Sequence, residues 1–301
     1  MPVTTTSPIE LLSPKMLAQL ERLELVSRKI FRGRMKGERR SKRKGQSVEF
    51  ADFRNYVHGD DLRFIDWNTY ARLDKLFLKL FLEEEDLHFF TLIDASTSMD
   101  FGEPTKLHFA KQMAAALCYI GLCRADRVKC ESFGTPLRKP GPVLRGRHSL
   151  MRMLDHINQI EPGENVSLLE AVKSFCLRNQ GKGVLVLITD LMDKSGYEAA
   201  FRFLTAQQMD VYVIHTLSPV ELNPEEQIKG DLRLVDSEDA DAAEITVSRP
   251  LLEKYKKTLN AFVEGAKSYC TKRGMTYMLA NTETPVDQIV SSYLRQRGLV
   301  R

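Results

Sequence analysis

The residues best suited to chemistry in this chain follow a short apolar stretch, Phe89 to Ile93. Asp94, Ser96 and Ser98 come directly after it, so one carboxylate and two hydroxyls occupy alternate positions. In an open α/β sheet, ligands bind in the loops beyond the carboxyl ends of the strands. Carboxylate and hydroxyl oxygens suit a hard cation such as Mg²⁺, which keeps part of its water shell. The spacing therefore predicts a Mg²⁺ or Mn²⁺ site in this loop.

Two further oxygen ligands are expected from later elements of the same sheet. Asp190 ends the apolar stretch 184–189, and Ser167 stands where a helix is predicted to begin. Because the carboxyl ends of parallel strands share one edge of a sheet, we expect both side chains to converge with the loop of Asp94. The alternative interpretation is that the polar residues of that loop only cap the helix that follows.

The elements that would position these residues alternate regularly from His88 onward. The strand at 183–190 is the most apolar and is expected to be central and parallel. Such alternation predicts an α/β fold with a doubly wound, mostly parallel sheet. Strands are predicted at 89–94, 128–133, 183–190, 210–217 and 275–280, and helices at 106–124, 148–160, 168–179, 197–207, 251–273 and 285–297. A hairpin arm is predicted at 136–145, and a short hairpin with strands at 232–235 and 244–247.

The chain before this region differs in composition. Ser13 and Pro14 predict the start of a helix that we expect to reach about Phe31. Residues 1–45 contain 12 Lys or Arg and 4 Asp or Glu, which is typical of a basic linker after that helix. Alternating leucines at 76–82 indicate a strand within a small β-rich extension. The predicted segments are therefore 1–45, 46–86 and an α/β domain at 87–301.

Cysteine usage and hydropathy indicate a cytoplasmic protein. The five cysteines are an odd number without a CxxC pair, which favours free thiols in a reducing compartment. The N-terminus carries no apolar segment of the kind found in signal peptides, and we expect no membrane span. The sequence also contains no Walker A motif or GxGxxG, which argues against nucleotide hydrolysis and dinucleotide binding.

The DxSxS loop, together with Asp190, resembles the metal-ion-dependent adhesion site of von Willebrand factor A domains. In those domains a threonine from a second loop joins the ligands, whereas Val166 occupies that position here and Ser167 follows it. The resemblance implies a von Willebrand A-like fold and an open metal position that a partner's acidic residue fills. It also implies that a Mg²⁺ ion is held by Asp94, Ser96, Ser98, Ser167 and Asp190.

A second motif precedes the α/β domain and is similar to the signature "EF…LR.Y..GDD.R.IDW...AR" of the bacterial family called domain of unknown function 58. Members of that family carry a von Willebrand A-like domain and commonly sit beside MoxR-type AAA+ ATPases. The resemblance implies a non-enzymatic adaptor or partner of such an ATPase, acting in remodelling or maturation of a client protein with an acidic residue. The matching residues are Glu49-Phe50, Arg54-Asn55-Tyr56, Gly59-Asp60-Asp61, Arg63, Ile65-Asp66-Trp67 and Ala71-Arg72.

The polar residues of this signature are interpreted as structural or partner-binding residues. Charge-assisted hydrogen bonds among them are expected to fix a loop around Trp67. A catalytic acid/base group is the less favoured interpretation because no nucleophile stands nearby. The residues concerned are Arg54, Tyr56, Asp60, Asp61, Arg63, Asp66, Trp67 and Arg72.

Two other functions stay open at the level of sequence. The first is a metal-dependent phosphohydrolase, although its aspartyl nucleophile motif has a second Asp where Ser96 stands. The second is binding of nucleic acid or an anionic surface through residues 28–44, which contain ten Lys or Arg and one acid, Glu38. Since Phe31 is the only aromatic residue in that stretch, stacking on nucleic-acid bases is poorly supported.

Overall fold

The computed structural model describes residues 11–26, 49–82, 87–134, 140–163, 166–179, 181–228, 230–235 and 242–301. Its strands are β1 (Glu49–Asn55), β2 (Phe77–Leu82), β3 (His88–Asp94), β4 (Arg127–Phe133), β5 (Gly183–Thr189), β6 (Met209–Leu217), β7 (Asp231–Val235), β8 (Ala242–Thr246) and β9 (Thr276–Asn281). Its α-helices are α1 (Pro14–Leu20), α2 (Trp67–Leu73), α3 (Lys106–Cys123), α4 (Leu150–Asn158), α5 (Leu168–Arg178), α6 (Glu198–Thr205), α7 (Pro219–Leu222), α8 (Pro224–Gln227), α9 (Arg249–Lys272) and α10 (Val286–Gln288).

The chain divides into two units. The larger unit consists of Met1–Arg32 together with Leu87–Arg301, and the smaller unit is Gly33–Asp86. Helix α1 therefore belongs to the same unit as the α/β elements. The smaller unit contains the pair β1–β2, which is antiparallel, and Ile65 makes a further antiparallel bridge to Leu78.

The larger unit is built on a parallel sheet with the strand order β4-β3-β5-β6-β9. Strand β5 lies at the centre, and all seven of its residues are buried, which confirms the prediction made from its apolar composition. The chain passes from β3 to β4 on one side and then crosses to β5 on the other. The order therefore reverses between β3 and β5, and this switch point is where open α/β sheets bind their ligands.

The two faces of the sheet carry separate cores because successive strand residues point to opposite sides. On β5, Val184, Val186 and Ile188 pack in one core, which helices α1, α3, α4 and α10 complete. Leu185 and Leu187 pack in the other core, which helices α5, α6 and α9 cover. Helices on both faces of a parallel sheet confirm the predicted doubly wound α/β class.

The N-terminal helix is shorter than predicted. Ser13 caps it and Pro14 begins it, as expected, but it ends at Leu20. Its continuation is extended, since Leu25 forms an antiparallel bridge with Val300. Apolar spacing at 23–26 therefore reflects pairing with the C-terminal segment and not a longer helix. The basic stretch 28–44 lies outside the described residues.

Other differences from the predicted elements are local. Leu144 makes an antiparallel bridge to Val128 but no strand, and residues 135–139 of the predicted hairpin arm lie outside the description. The predicted short hairpin is confirmed by the antiparallel pair β7–β8. The final helix contains a π-helical turn at Ile289–Leu294.

All five cysteines are free thiols, in agreement with the sequence. Burial raises the pKa of Cys270 to about 12, which keeps this thiol protonated and unreactive. Within the described residues, every helix falls short of the length and apolar character that crossing a membrane requires.

Candidate functional site

The loop that follows β3 is held from both sides by backbone contacts. Ala95 donates its N–H to the carbonyl of Phe133 at 2.7 Å, and its own carbonyl accepts the N–H of Gly163 at 2.8 Å. Gly134 lies against this loop with φ of +130°, and a Cβ there would stand 2.5 Å from the carbonyl carbon of Ala95. The loop conformation therefore depends on a glycine in the neighbouring loop.

Asp94 is buried at the end of β3 and accepts two hydrogen bonds. Its Oδ1 accepts the backbone N–H of Ser96 at 3.0 Å, and its Oδ2 accepts the hydroxyl of Thr189 at 2.6 Å. The hydroxyls of Ser96 and Ser98 lie 3.0 Å apart. The sequence motif therefore forms a compact group of oxygens at the switch point of the sheet.

Asp190 lies at the end of the neighbouring strand and is paired with a lysine that sequence reasoning missed. Lys106, the first residue of α3, places its Nζ 2.8 Å from Oδ2 of Asp190 and 2.7 Å from Oε1 of Glu221. Both Lys106 and Asp190 are only 1% exposed. The Oδ1 of Asp190 accepts the N–H of Met192 at 3.1 Å. The second predicted carboxylate is thus already neutralised by a buried ammonium.

The pKa values of Asp94 and Lys106 are both raised in this group, for different reasons. Burial, followed by the negative charge of Asp190, raises the pKa of Asp94 to about 6. Burial alone would lower the pKa of Lys106, but the charges of Asp190 and Glu221 outweigh it, and the pKa of this lysine is raised. Lys106 therefore stays charged, while Asp94 lacks a cation of its own.

Ser167 contacts a part of the site that the sequence did not reveal. Its hydroxyl lies 3.4 Å from that of Ser195, which donates to Oδ1 of Asp193 at 2.6 Å. The Oδ2 of Asp193 accepts the N–H of Leu168, the first residue of α5, at 2.6 Å. Burial disfavours the ionised form of Asp193, but these hydrogen bonds outweigh it and lower its pKa. The sequence does offer a signal for Asp193 as a residue of this site, because it stands three residues after the predicted ligand Asp190.

These side chains surround a cavity of about 50 Å³ at the carboxyl ends of β3 and β5. Leu191, the residue after Asp190, has a φ of +58°, a left-handed conformation that a residue with a bulky side chain rarely adopts. The bend turns the chain sharply after Asp190 and leads it to Asp193. The lining residues are Asp94, Ser96, Phe133, Val166, Ser167, Leu168, Thr189, Asp190 and Asp193.

The donor set fits a hard divalent cation that keeps several water ligands. A cavity of about 50 Å³ holds more than one water-sized ligand, since one water needs only about 10–15 Å³ by the same measure. Val166 offers only methyl groups to this cavity. Among the described residues, no group of three or more His, Cys, Asp or Glu side chains is arranged to hold a metal. A cation here would therefore depend on the serine hydroxyls as well as on Asp94.

The polar signature residues of the smaller unit are bonded mainly to one another. Arg54 and Asp60 form a bidentate pair with N–O distances of 2.7 and 2.8 Å, and Arg63 pairs with Asp61 at 2.6 Å. Asp66 caps α2 through the N–H groups of its second and third residues.

The charge-assisted hydrogen bonds expected around Trp67 form in the loop that precedes it, but they do not enclose this tryptophan. Its side chain is 59% exposed, because it lies at the first position of α2, beyond the capping carboxylate of Asp66. Tyr56 and Arg72, the other predicted residues, are half-buried and exposed respectively. A structural or partner-binding role for the signature stays a prediction.

Comparison with known families gives one match. The family described as "Protein of unknown function DUF58" matches residues 52–262. That range contains most of the signature of the smaller unit and every residue that lines the cavity.

Two mycobacterial proteins are similar in sequence over most of their length. The uncharacterized proteins Rv1480 of Mycobacterium tuberculosis and Mb1516 of Mycobacterium bovis are each 24% identical to this chain over 253 residues. The matched region covers 82% of this chain and 79% of each relative.

Solved structures show more distant likenesses. The conserved hypothetical protein BatB from Bacteroides thetaiotaomicron has a TM-score of 0.43 and 14% identity, covering 70% of this chain and 98% of BatB. The manganese-loaded TRAP protein of Plasmodium vivax has a TM-score of 0.36 and 13% identity, covering 68% of this chain and 72% of TRAP. Scores this low carry no argument about the site, which rests on the geometry described above.

Proposed function

This chain belongs to the DUF58 family of proteins of unknown function, and we propose that it is a non-enzymatic, metal-dependent protein-interaction module of the von Willebrand A-like kind. One observation carries the proposal: the buried carboxylate Asp94 and Ser96 line a cavity at the switch point of a parallel sheet, and the hydroxyl of Ser98 lies 3.0 Å from that of Ser96. Among the described residues no Lys or Arg pairs with Asp94, and burial, followed by the charge of Asp190, raises its pKa to about 6.

The residues that would hold Mg²⁺ or Mn²⁺ are those that the DxSxS motif brings together. Asp94, Ser96 and Ser98 would provide the main ligands, with Ser167 and Asp190 binding directly or through water. When bound, the ion would supply a hard electrophilic centre that accepts a carboxylate oxygen from another protein. Val166 cannot add a hydroxyl, so we expect the affinity for the ion to be modest.

The contacts of the two carboxylates favour binding of an additional acidic group. Asp94 already accepts hydrogen bonds from Ser96 and Thr189, and Asp190 is paired with Lys106. Since donors of this chain take up part of both negative charges, neutral hydroxyls would carry much of the coordination. An incoming carboxylate would then be attracted in a site that is largely shielded from water.

The lining of the cavity gives no support to an enzyme. Among the described residues that line it, there is no His, Cys or Lys that would act as a base beside a hydroxyl nucleophile. Both oxygens of Asp94 are engaged as acceptors, which hinders nucleophilic attack on a phosphoester. The lowered pKa of Asp193 makes it a weak base.

The partner that the family resemblance implies is a MoxR-type AAA+ ATPase, with this chain as its adaptor toward a client that carries an acidic residue. This assignment depends on the family resemblance and not on the geometry of the site. Five free thiols agree with a cytoplasmic location for such a complex.

Calorimetry with Mg²⁺ and Mn²⁺ tests the metal site. We expect Asp94→Ala to weaken binding by at least about tenfold, and Ser98→Ala to weaken it less. Glu131→Gln is the matched control, because Glu131 is a buried carboxylate that does not line the cavity and is bonded to Arg178 and Asn179 instead. Adding acetate should tighten Mg²⁺ binding in the wild type only. Equal binding in wild type and both site variants would refute the metal site.

A separate experiment tests the partner. The full chain would be used to capture a purified cognate MoxR-type ATPase with Mg²⁺ and again with a chelator. Capture that depends on Mg²⁺ and on Asp94 supports the complete proposal. Intact metal binding without capture would reject this ATPase as the partner and leave the metal site standing.

A further inference from the structure

A second cavity lies in the larger unit, away from Asp94. It is a groove of about 880 Å³, within the size range of ligand sites in proteins. Helix α3 has 18 residues, which corresponds to a length of about 27 Å. Lys106 begins this helix beside Asp190, and Arg124 follows its last residue and lines the groove. The two cavities are thus at opposite ends of α3.

The groove is built from three separate parts of the chain. Lys15, Gln19 and Arg22 are spaced by four and three residues and therefore lie on one face of α1 and its C-terminal turn. The segment after this helix is bonded to the C-terminal segment, since Glu24 and Arg301 exchange backbone hydrogen bonds of 2.8 and 3.2 Å. These bonds hold the segment after α1 and the C-terminal segment together as two walls of the groove.

The third part of the groove is Arg124 at the end of α3, and its side chain is bonded to the segment that follows α1. Arg124 donates from Nε to the carbonyl of Leu23 at 3.3 Å. Leu23 and Ala18 add apolar surface to the lining of the groove. The walls are therefore held by hydrogen bonds, and the groove combines apolar surface with cationic side chains.

The charge of the groove is strongly unbalanced. Five cationic side chains line it, against the single carboxylate of Glu24: they are Lys15, Arg22, Arg124, Arg295 and Arg301. Within the described part of the chain, none of the five forms an ion pair. Arg147, by contrast, pairs with Glu21 just beyond α1. Like charges gathered in a concave surface create a positive potential that attracts an anionic ligand.

We propose that this groove binds an acidic polypeptide segment that also carries apolar side chains, contributed by another protein. Four of the five cations are arginines, whose planar groups bind carboxylates through paired hydrogen bonds. Leu23 and Ala18 would contact the apolar side chains of the segment. Glu24 suits a peptide, which offers N–H donors, better than a phosphate backbone, which offers none.

The shape and lining disfavour the other anionic macromolecules. None of the described residues that line the groove is aromatic, so they offer unpaired bases no ring on which to stack. A membrane surface is flat over this distance, and its headgroups would not follow three walls of a concave site. Duplex DNA and anionic vesicles are therefore competitors to be tested beside the peptide.

Fluorescence anisotropy of a labelled peptide of alternating glutamate and leucine, added to the full chain, tests the proposal. The groove variant combines Lys15→Glu, Arg22→Glu and Arg295→Glu. The control variant makes the same charge change at exposed positions of α9 with Lys254→Glu, Lys257→Glu and Lys272→Glu. We expect the groove variant to weaken binding by at least about tenfold and the control by no more than about twofold.

Additional variants distinguish peptide binding in the groove from general electrostatic attraction to the chain. A variant with glutamine at Arg39, Arg40, Lys42, Arg43 and Lys44 should keep most of the peptide affinity. The glutamine versions of the groove substitutions should give an intermediate loss, which guards against misfolding caused by charge reversal. A chelator should leave binding unchanged, so this result is independent of the metal site.

Several outcomes would overturn the proposal. Equal losses in the groove and control variants would assign the binding to net charge, and a loss confined to the variant of 39–44 would assign it to that basic stretch. Groove-dependent binding of duplex DNA or phosphatidylserine vesicles without peptide binding would assign the groove to another ligand. Tenfold weakening in the groove variant alone would support it.

Discussion

Two buried lysines in the larger unit hold carboxylates in different ways. At the cavity, Lys106 forms ion pairs with both Asp190 and Glu221. The negative charge of Asp190 also contributes to the raised pKa of Asp94. Three carboxylates thus accompany one ammonium. We call this group the cavity cluster; its members are Asp94, Lys106, Asp190 and Glu221.

On edge strand β4 the ratio of carboxylates to cations is reversed. Glu131 accepts Lys129 at 2.5 Å, Arg178 at 2.6 Å and the amide of Asn179 at 3.0 Å. Lys129 also donates to Asn179 at 2.7 Å. One carboxylate is therefore bound by two cations and one amide. We call this group the edge cluster; its members are Lys129, Glu131, Arg178 and Asn179.

The pKa values of the two clusters report this difference. Burial raises the pKa of Asp94 to about 6 in the cavity cluster. Burial also acts against ionisation of Glu131, but the hydrogen bonds from its partners outweigh it and lower its pKa. The comparison teaches that a buried charge network is structural when its donors saturate its acceptors. It is a candidate binding site when negative charge is left over beside a cavity.

The largest expected difference concerns removal of each lysine. Lys106→Met leaves Asp190 and Glu221 buried without a cation, and we expect a loss of about 3–5 kcal/mol in the free energy of unfolding. Lys129→Met leaves Arg178 on the carboxylate of the edge cluster, and the expected loss is only about 1–2 kcal/mol. Urea unfolding followed by circular dichroism measures both. Similar losses in the two variants would show that the clusters do not differ as described.

A smaller effect is expected in the pH dependence of stability. Because the pKa of Glu131 is lowered in the folded protein, its contribution is present above the ordinary glutamate value of 4.5 and is lost as the pH falls further. Glu131→Gln should flatten the loss of stability below that value by up to about 1.4 kcal/mol per pH unit. Unfolding curves at several acidic pH values test this. An unchanged slope would contradict the lowered pKa.

The smallest effect is expected from a single hydroxyl in the cavity. Val166→Thr places a hydroxyl where the lining now offers methyl groups, and we expect Mg²⁺ affinity to rise by about threefold to tenfold. Val143→Thr is the control, since Val143 is exposed and lies outside the cavity. Titration calorimetry compares the two. Equal affinities would mean that the loop of Val166 does not reach the ion.

Much of the fold follows from sequence patterns. The five consecutive apolar residues of β5, 184–188, require burial on both faces, which only a central strand provides. The strands of the parallel sheet and the longer helices of the α/β domain lie within a few residues of their predicted positions, whereas the short helices α7 and α8 were not predicted. The first helix was predicted too long because Leu23, Ile30 and Phe31 continue its apolar spacing, although residues 24–26 pair with the C-terminal segment. Local spacing does not distinguish these two uses of an apolar side chain.

The sequence by itself determined the order of strands and helices and the DxSxS group after β3, because short-range periodicity and adjacent positions encode both. Only the tertiary structure brought Lys106 to Asp190 and Glu221, which lie 84 and 115 positions further along the chain. It also gathered the cations of the groove from both ends of the chain and the end of α3. The position of a charged residue in the sequence does not specify its partner, because packing between distant elements brings the partner into contact. The same packing decides whether the charge is neutralised or left to bind a ligand.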